Sequence, residues 1–238
     1  TVRDLVLRGG APSWLVGDGG LVRMSSDGGR SWHAPGHDFT QGPASQCDWH
    51  AAAVHGAQAW IVGAPGSVVL HTPDGGANWR PVFDDMPVQA IGALAVAPTD
   101  KGTIWAGTGE AWAIRESDVT GDGVYKSADS GATWQHMGLR ETGRIARIIV
   151  HPTDHNIVYV CALGRTTGPQ QERGVYKTTD NGRVWKRVAF VDVNTGCSDL
   201  AMDAKDPNVL MAGMWQVEMK PWGMTSGGPG SGVWITRN

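Results

Sequence analysis

Ser127-Ala128-Asp129-Ser130-Gly131-Ala132-Thr133-Trp134 decides the fold, because its pattern, Ser/Thr-x-Asp-x-Gly-x-x-Trp, occurs four times in the chain. The other copies run Ser25 to Trp32, Thr72 to Trp79 and Thr178 to Trp185, with Asp-to-Asp intervals of 47, 55 and 51 residues. Self-similarity at a nearly fixed period marks a repeat architecture. Each copy follows a short β-rich run, such as Gly123-Val124-Tyr125-Lys126 or Gly174-Val175-Tyr176-Lys177, and its Trp begins another, so each reads as a hairpin. The Ser or Thr hydroxyl and the carboxylates of Asp27, Asp74, Asp129 and Asp180 are expected to serve backbone N–H groups of the turn. The glycine takes a positive φ, and Trp32, Trp79, Trp134 and Trp185 are expected to pack between neighbouring sheets. The most conspicuous acids are therefore read as turn staples and not as catalysts.

A second repeat keeps step with the first. Leu94 to Asp100, Ile148 to Asp154 and Leu200 to Asp206 each read as a buried strand ending in a polar turn. A further strand follows at once in Thr103 to Gly107, Ile157 to Cys161 and Val209 to Gly213. Four strands per ~50 residues, repeated radially, predict an all-β β-propeller of four-stranded antiparallel blades. About five blades are present, over residues 4–48, 49–90, 91–143, 144–197 and 198–238. The last is expected to lack its outer strand, because a fifth box would begin where the chain stops at Asn238. That interruption favours a piece of a larger propeller over a closed five-bladed ring, the missing blades coming from the same or a longer chain.

Composition agrees with strands and tight turns: 34 Gly and 12 Trp stand among 238 residues, with 41% hydrophobic and 18% charged. The net charge is −3 and the basic residues are scattered, so nucleic acid is not an expected partner. No apolar run approaches the ~20 residues of a membrane helix, so membrane insertion is not expected. Cys47, Cys161 and Cys197 show no C-x-x-C spacing, which argues against a zinc site and leaves the disulfide state open. No zinc or copper site is assigned to the histidines, and Asp118 to Asp122 lacks the EF-hand spacing and terminal Glu, so no metal is assigned. Neither a G-x-S-x-G elbow nor a phosphate-binding loop occurs, and no cofactor is implied.

The boxes, with Trp14 to Val22 and Trp60 to Val68, resemble the Asp-box (BNR-repeat) propeller superfamily. Over residues 1–86 the resemblance is to photosystem II stability/assembly-factor repeats. Over 91–238 the chain is similar to bacterial sortilin-like proteins often labelled BNR glycosyl hydrolases, through Gly107 to Glu110, Gly121 to Ser127, Glu172 to Lys177 and Ser226 to Gly232. The resemblance implies a secreted or periplasmic protein. It does not by itself imply one activity, since the same propeller hosts receptors, scaffolds and hydrolases. The Arg-Ile-Pro motif of the sialidase branch is absent, and the xyloglucanase catalytic aspartates match no motif here, so no catalytic residue is carried over.

In a four-stranded blade the second-to-third-strand loops and the blade-to-blade connections share one face, and the boxes lie on the other. The loops are minimal at Gly17–Gly20 and Gly63–Gly66 but long at Gly109–Gly123, Gly164–Gly174 and Met214–Gly230, where binding groups are expected. Candidate acids are Glu110, Glu116, Asp118 and Glu172; candidate ligand contacts are Arg144, Arg165, Trp215 and Trp222. Trp49, His50, Arg140, Asp192 and Asp199 are expected on the same face. Aromatic platforms with Arg and carboxylates suit a sugar, and hydrolysis needs two carboxyls about 5–9.5 Å apart. Each candidate also has a plainer reading. Glu110 reads first as a hydrogen-bonding residue of its loop, Arg144 and Arg165 equally as blade-to-blade salt bridges, and Trp215 and Trp222 as packing under their own loop. Two functions remain: a glycan-binding propeller that cleaves its ligand if two acids are paired, and a non-catalytic protein- or peptide-binding propeller of sortilin or assembly-factor type.

Overall fold

A computed structural model describes residues 1–7, 12–66, 68–111, 119–203 and 205–237. Five antiparallel sheets follow one another along the chain. The first is β1 (Val2–Val6), β2 (Ser13–Gly17) and β3 (Val22–Ser25), with an isolated bridge from Met24 to His33 standing for its fourth strand. The second is β4 (Asp48–His55), β5 (Gln58–Ala64), β6 (Val68–Thr72) and β7 (Arg80–Pro81). The third runs β8 (Ile91–Ala97), β9 (Asp100–Thr108), β10 (Val124–Ser127) and β11 (Gln135–His136). The fourth runs β12 (Ile145–Val150), β13 (Val158–Ala162), β14 (Gly174–Thr178) and β15 (Lys186–Ala189). In the fifth, β16 (Thr195–Met202) pairs with β17 (Val209–Lys220), which pairs with both β18 (Gly223–Ser226) and β19 (Gly232–Arg237). This is a β-propeller of about five blades.

The boxes form the turns their residue types dictate. Ser25, Thr72, Ser127 and Thr178 donate their hydroxyls to Asp27, Asp74, Asp129 and Asp180 at 2.7, 2.8, 2.8 and 2.7 Å. The same hydroxyls accept the N–H of Gly29, Gly76, Gly131 and Gly182 at 2.8, 2.8, 2.8 and 3.0 Å. Hydrogen bonds from the Asn78 side chain and backbone hold the Asp74 carboxyl down at about 2, and those from Ser31 lower Asp27 likewise. The box glycine must be glycine: Gly182 sits at φ +88°, and a Cβ there would stand 2.7 Å from the Trp105 ring.

That close approach is how blades are joined. The box Trp of each blade meets the second strand of the blade before it: Trp79 lies edge-on to Trp14 at 5.6 Å and Trp185 to Trp105 at 6.1 Å. Trp134 lies edge-on to Phe83 at 4.9 Å, in the core cluster that holds the buried Trp60. The second and third junctions add an indole hydrogen bond, Trp134 Nε1 to the Val82 carbonyl at 2.6 Å and Trp185 Nε1 to the Met137 carbonyl at 2.7 Å. Trp14, Trp60 and Trp105 are fully buried, so each junction removes a large apolar area from water.

Two features depart from the expectation. Met214–Gly230 is not an irregular loop, because β17 continues to Lys220 and turns back through Pro221-Trp222 into β18, with Lys220 opposite Gly223. Alternation in Trp215-Gln216-Val217-Glu218-Met219-Lys220, followed by a proline turn, suits such a hairpin. In addition, Cys161 of β13 and Cys197 of β16 form a disulfide that ties the fourth blade to the fifth, while Cys47 is free.

Ser127→Ala should strip the Gly131 N–H of its acceptor at a buried site, costing about 2 kcal/mol and lowering Tm by roughly 4–8 °C in a chain this size, as calorimetry would show. Reducing the Cys161–Cys197 bridge, which spans 36 residues, should cost about 4 kcal/mol by chain entropy. Denaturant midpoints with and without dithiothreitol check it, with Cys161→Ser/Cys197→Ser as the control that reductant no longer shifts.

Candidate functional site

The two faces separate as the topology requires. On the box face, the box N–H of Gly75, Ser130 and Asn181 donates to the carbonyl of Ala57, Gly102 and Asn156 in the first-to-second-strand turn of the same blade. On the opposite face, the loops of the first, third and fourth blades bond to the connection entering the next blade. Gly20 N donates to the Cys47 carbonyl at 2.8 Å, Gly121 N to Gly143 at 2.6 Å and Gln170 N to Val193 at 2.8 Å.

All five inner strands converge on a central cavity of about 350 Å³. Arg3 and Asp4 come from β1, His50 from β4, Gly92 from β8, Arg147 from β12 and Asp199 from β16. Asp4 accepts the Ala52 N–H at 2.9 Å, and Arg147 Nε meets Asp199 at 2.8 Å, so the channel wall is cross-linked between blades. Burial disfavours the Arg147 charge, but the Asp199 hydrogen bond and the charges of Asp199 and Asp4 outweigh it and raise its pKa. At the mouth on the long-loop face, Arg3 and His50 are shared with a pocket of about 570 Å³. Gln46, Asp48, Gln89 and Glu110 complete its polar lining, and Ala64, Pro65 and Gly66 its wall.

The sequence-derived candidates divide sharply on this map. Glu110 lines the mouth pocket, held where its backbone N–H donates to the Val119 carbonyl at 3.0 Å. Glu116 and Asp118 lie outside the described residues. Glu172 stands away from that pocket, its carbonyl accepting the Tyr176 hydroxyl at 3.0 Å. Arg144 is fully buried at the start of the fourth blade, and Arg165 meets Glu141 at 3.5 Å on the surface. Trp215 donates its indole N–H to Ser226 at 3.1 Å, under its own hairpin, and Trp222 stands 83% exposed at the hairpin tip. Neither tryptophan lines the mouth.

Several acids of this face meet bases: Asp18 with Arg3 at 2.6 Å, Asp122 with Arg140 at 3.1 Å, Asp199 with Arg147 at 2.8 Å and Glu218 with Lys220 at 3.1 Å. Asp48 accepts the Gly19 N–H at 3.0 Å. Sequence reading missed Arg3, Arg147 and Gln89 as mouth or channel residues. Their one signal is position, since each stands within three residues of the start of an inner strand. Arg173, in the long loop of the fourth blade, is a buried clamp: it donates to the carbonyls of Asn194 at 2.7 Å, Gly168 at 3.1 Å and Arg165.

The family model of photosynthesis system II assembly factor YCF48 matches residues 1–167. The chain belongs to that family. The match runs well past residue 86, into the half that resembles sortilin-like proteins. The photosystem II assembly lipoprotein Ycf48 of Synechococcus sp. (strain CC9902) is 26% identical over 176 residues, covering 73% of this chain and 45% of that protein. The match therefore spans just under half of its curated relative. Among solved structures, the GH74 xyloglucanase from Xanthomonas campestris superposes with a TM-score of 0.69 at 18% identity, over 98% of this chain and 36% of that one. A structure of YCF48 bound to D1 peptide gives a TM-score of 0.51 at 18% identity, over 95% of this chain and 82% of that one. At such identities both show the shared propeller fold alone.

Burial is the main cause that holds the imidazoles of His50 and His71 below the ordinary range, His71 at about 4. At His50 the Glu110 charge opposes that shift and the Arg3 charge adds to it. Both rings then bind protons less readily in the folded state than in the unfolded chain. Their contribution to stability is full above about pH 6.5 and declines as pH falls from there. For His71 the decline ends at about 4. His71→Phe, which keeps the ring stack on Trp60, should flatten this acid limb, as urea midpoints at about pH 5 and about pH 7.5 would report.

Proposed function

We propose that this chain is a non-catalytic, peptide-binding propeller of the assembly-factor type, whose ligand docks at the channel mouth around Arg3, His50, Gln89 and Glu110. The observation that carries this reading is the pairing of the acids. A glycosidase needs one carboxyl to donate a proton and a second to act as nucleophile or base, both free to do so. Here Asp18, Asp122, Asp199 and Glu218 are engaged with Arg3, Arg140, Arg147 and Lys220. A rim of alternating charges over a polar pocket instead suits the backbone amides and charged side chains of an extended peptide. The YCF48 structure with D1 peptide supplies the ligand class, and the Cys161–Cys197 bridge fits the oxidising, extracytoplasmic compartment of a lipoprotein relative.

Fluorescence anisotropy with a labelled D1 peptide tests the reading. Saturable binding should weaken about tenfold, or ~1.4 kcal/mol, in Gln89→Ala and in His50→Ala. Absence of peptide binding, together with polysaccharide hydrolysis that disappears in Glu110→Gln, would overturn it in favour of the glycan reading.

A further inference from the structure

The stretch Gly107-Thr108-Gly109-Glu110, which opens the long loop of the third blade, ends in a carboxylate that stands apart from the ion-paired acids of this face. Its backbone is held from both sides. Gly109 N donates to the Ala90 carbonyl at 2.9 Å and Glu110 N to the Val119 carbonyl at 3.0 Å. The Thr108 hydroxyl donates to the Gly123 carbonyl at 2.8 Å and accepts the N–H of Asp122 at 2.9 Å and of Gly123 at 3.0 Å. Gly109 sits at φ +90°, and a Cβ there would strike the Gly143 carbonyl, so the close approach needs glycine. Among the described residues no hydrogen bond or ion pair engages the Glu110 carboxylate, which lines the mouth pocket. It is an acceptor fixed in place and left unmatched.

The groups around it in this pocket of about 570 Å³, all from the first three blades and the connections between them, ask for the same kind of partner. Asp48, whose carboxylate accepts the Gly19 N–H at 3.0 Å, adds a second negative charge. Burial holds the His50 ring below its ordinary range against the charges of Glu110 and Asp48, so both carboxylates lie close to a ring that is neutral at pH 7. The Ile91 backbone takes a hydrogen bond from that ring, and a neutral imidazole with its N–H so engaged has only a lone pair to offer. Arg3, the one guanidinium of the lining, is held by Asp18 at 2.6 Å. An entering anion would have to draw Arg3 away from Asp18 and face two carboxylates. Pro65, Ala90 and Val119 supply an apolar wall beside the acceptors.

We propose that the mouth is a seat for one basic side chain of the bound peptide, whose ammonium or guanidinium is taken by Glu110, Asp48 and the His50 lone pair while its methylene stem lies along Pro65, Ala90 and Val119. This rests on the peptide-binding reading and adds which residue type of the ligand enters the pocket. Charge-assisted hydrogen bonds supply the selectivity, and a lysine or arginine stem suits an apolar wall with polar groups at its end.

Blocked host peptides of sequence Ser-Gly-Ser-Xaa-Ser-Gly-Ser, with Lys, Arg, Gln or Glu at the central position, are the probes, titrated into the isotope-labelled full chain while the amide signals of Gln89, Ala90 and Glu110 are followed by NMR. The Lys and Arg peptides should shift these signals saturably, with Kd at least about tenfold below those of the Gln and Glu peptides. Glu110→Gln, which keeps the size of the side chain, should remove most of that preference with unchanged circular dichroism, and Glu172→Gln, away from the pocket, should leave the preference as it is. Equal affinity for the Lys and Gln peptides, tighter binding of the Glu peptide, a preference that survives Glu110→Gln, or no saturable shift up to about 10 mM overturns the proposal. D1-peptide anisotropy on the same protein keeps the two readings apart. D1 binding that Gln89→Ala weakens, beside host peptides that do not discriminate, sinks the basic-residue seat and leaves the peptide-binding role standing, whereas loss of both sinks the role as well.

Discussion

Everything in this molecule hangs on a tryptophan wedged between two sheets. The box turn holds each Trp in place by spending one hydroxyl and one carboxylate on backbone N–H groups, and its glycine lets the turn approach the neighbouring second strand closely. With a Cβ at that glycine the ring and the turn could not occupy the same space. The wedge sets the spacing and angle between blades, and these bring five inner strands around a common cavity. Residues far apart in sequence, such as Arg3, His50, Arg147 and Asp199, become neighbours only because the wedges repeat.

The division of labour between faces follows from the same device. Four acids that stand out in the sequence are consumed in turns on the box face, where hydrogen bonds hold their carboxyls below the usual range. On the other face Asp18, Asp122 and Asp199 are met by arginines and Glu218 by a lysine, and three of the loops are knitted to the connections between blades. The surface that results is charged in both senses and firmly held. The likeness to a GH74 enzyme, at 18% identity, shows the shared fold and by itself assigns no chemistry to this chain.

The legibility of each feature depended on how local its cause is. The boxes, their turns and the strand order within a blade were readable, because each is set by residues within a dozen positions. The extension of β17 into a hairpin was missed because a glycine- and proline-rich stretch after Met214 resembles a loop as much as a turn flanked by strands. Among the site candidates, Glu110 reached the mouth, while Trp215 satisfied its indole on Ser226 instead.

The sequence by itself therefore determined a propeller of Asp-box blades, the structural role of Asp27, Asp74, Asp129 and Asp180, and which face carries the long loops. Periodicity and turn chemistry are properties of short segments, and a single chain displays them directly. Only the tertiary structure decided that Cys161 meets Cys197, that Arg147 pairs with Asp199, and that Arg3 and His50 share one pocket. Each of these depends on the angle between adjacent blades, and that angle is fixed by packing across sheets.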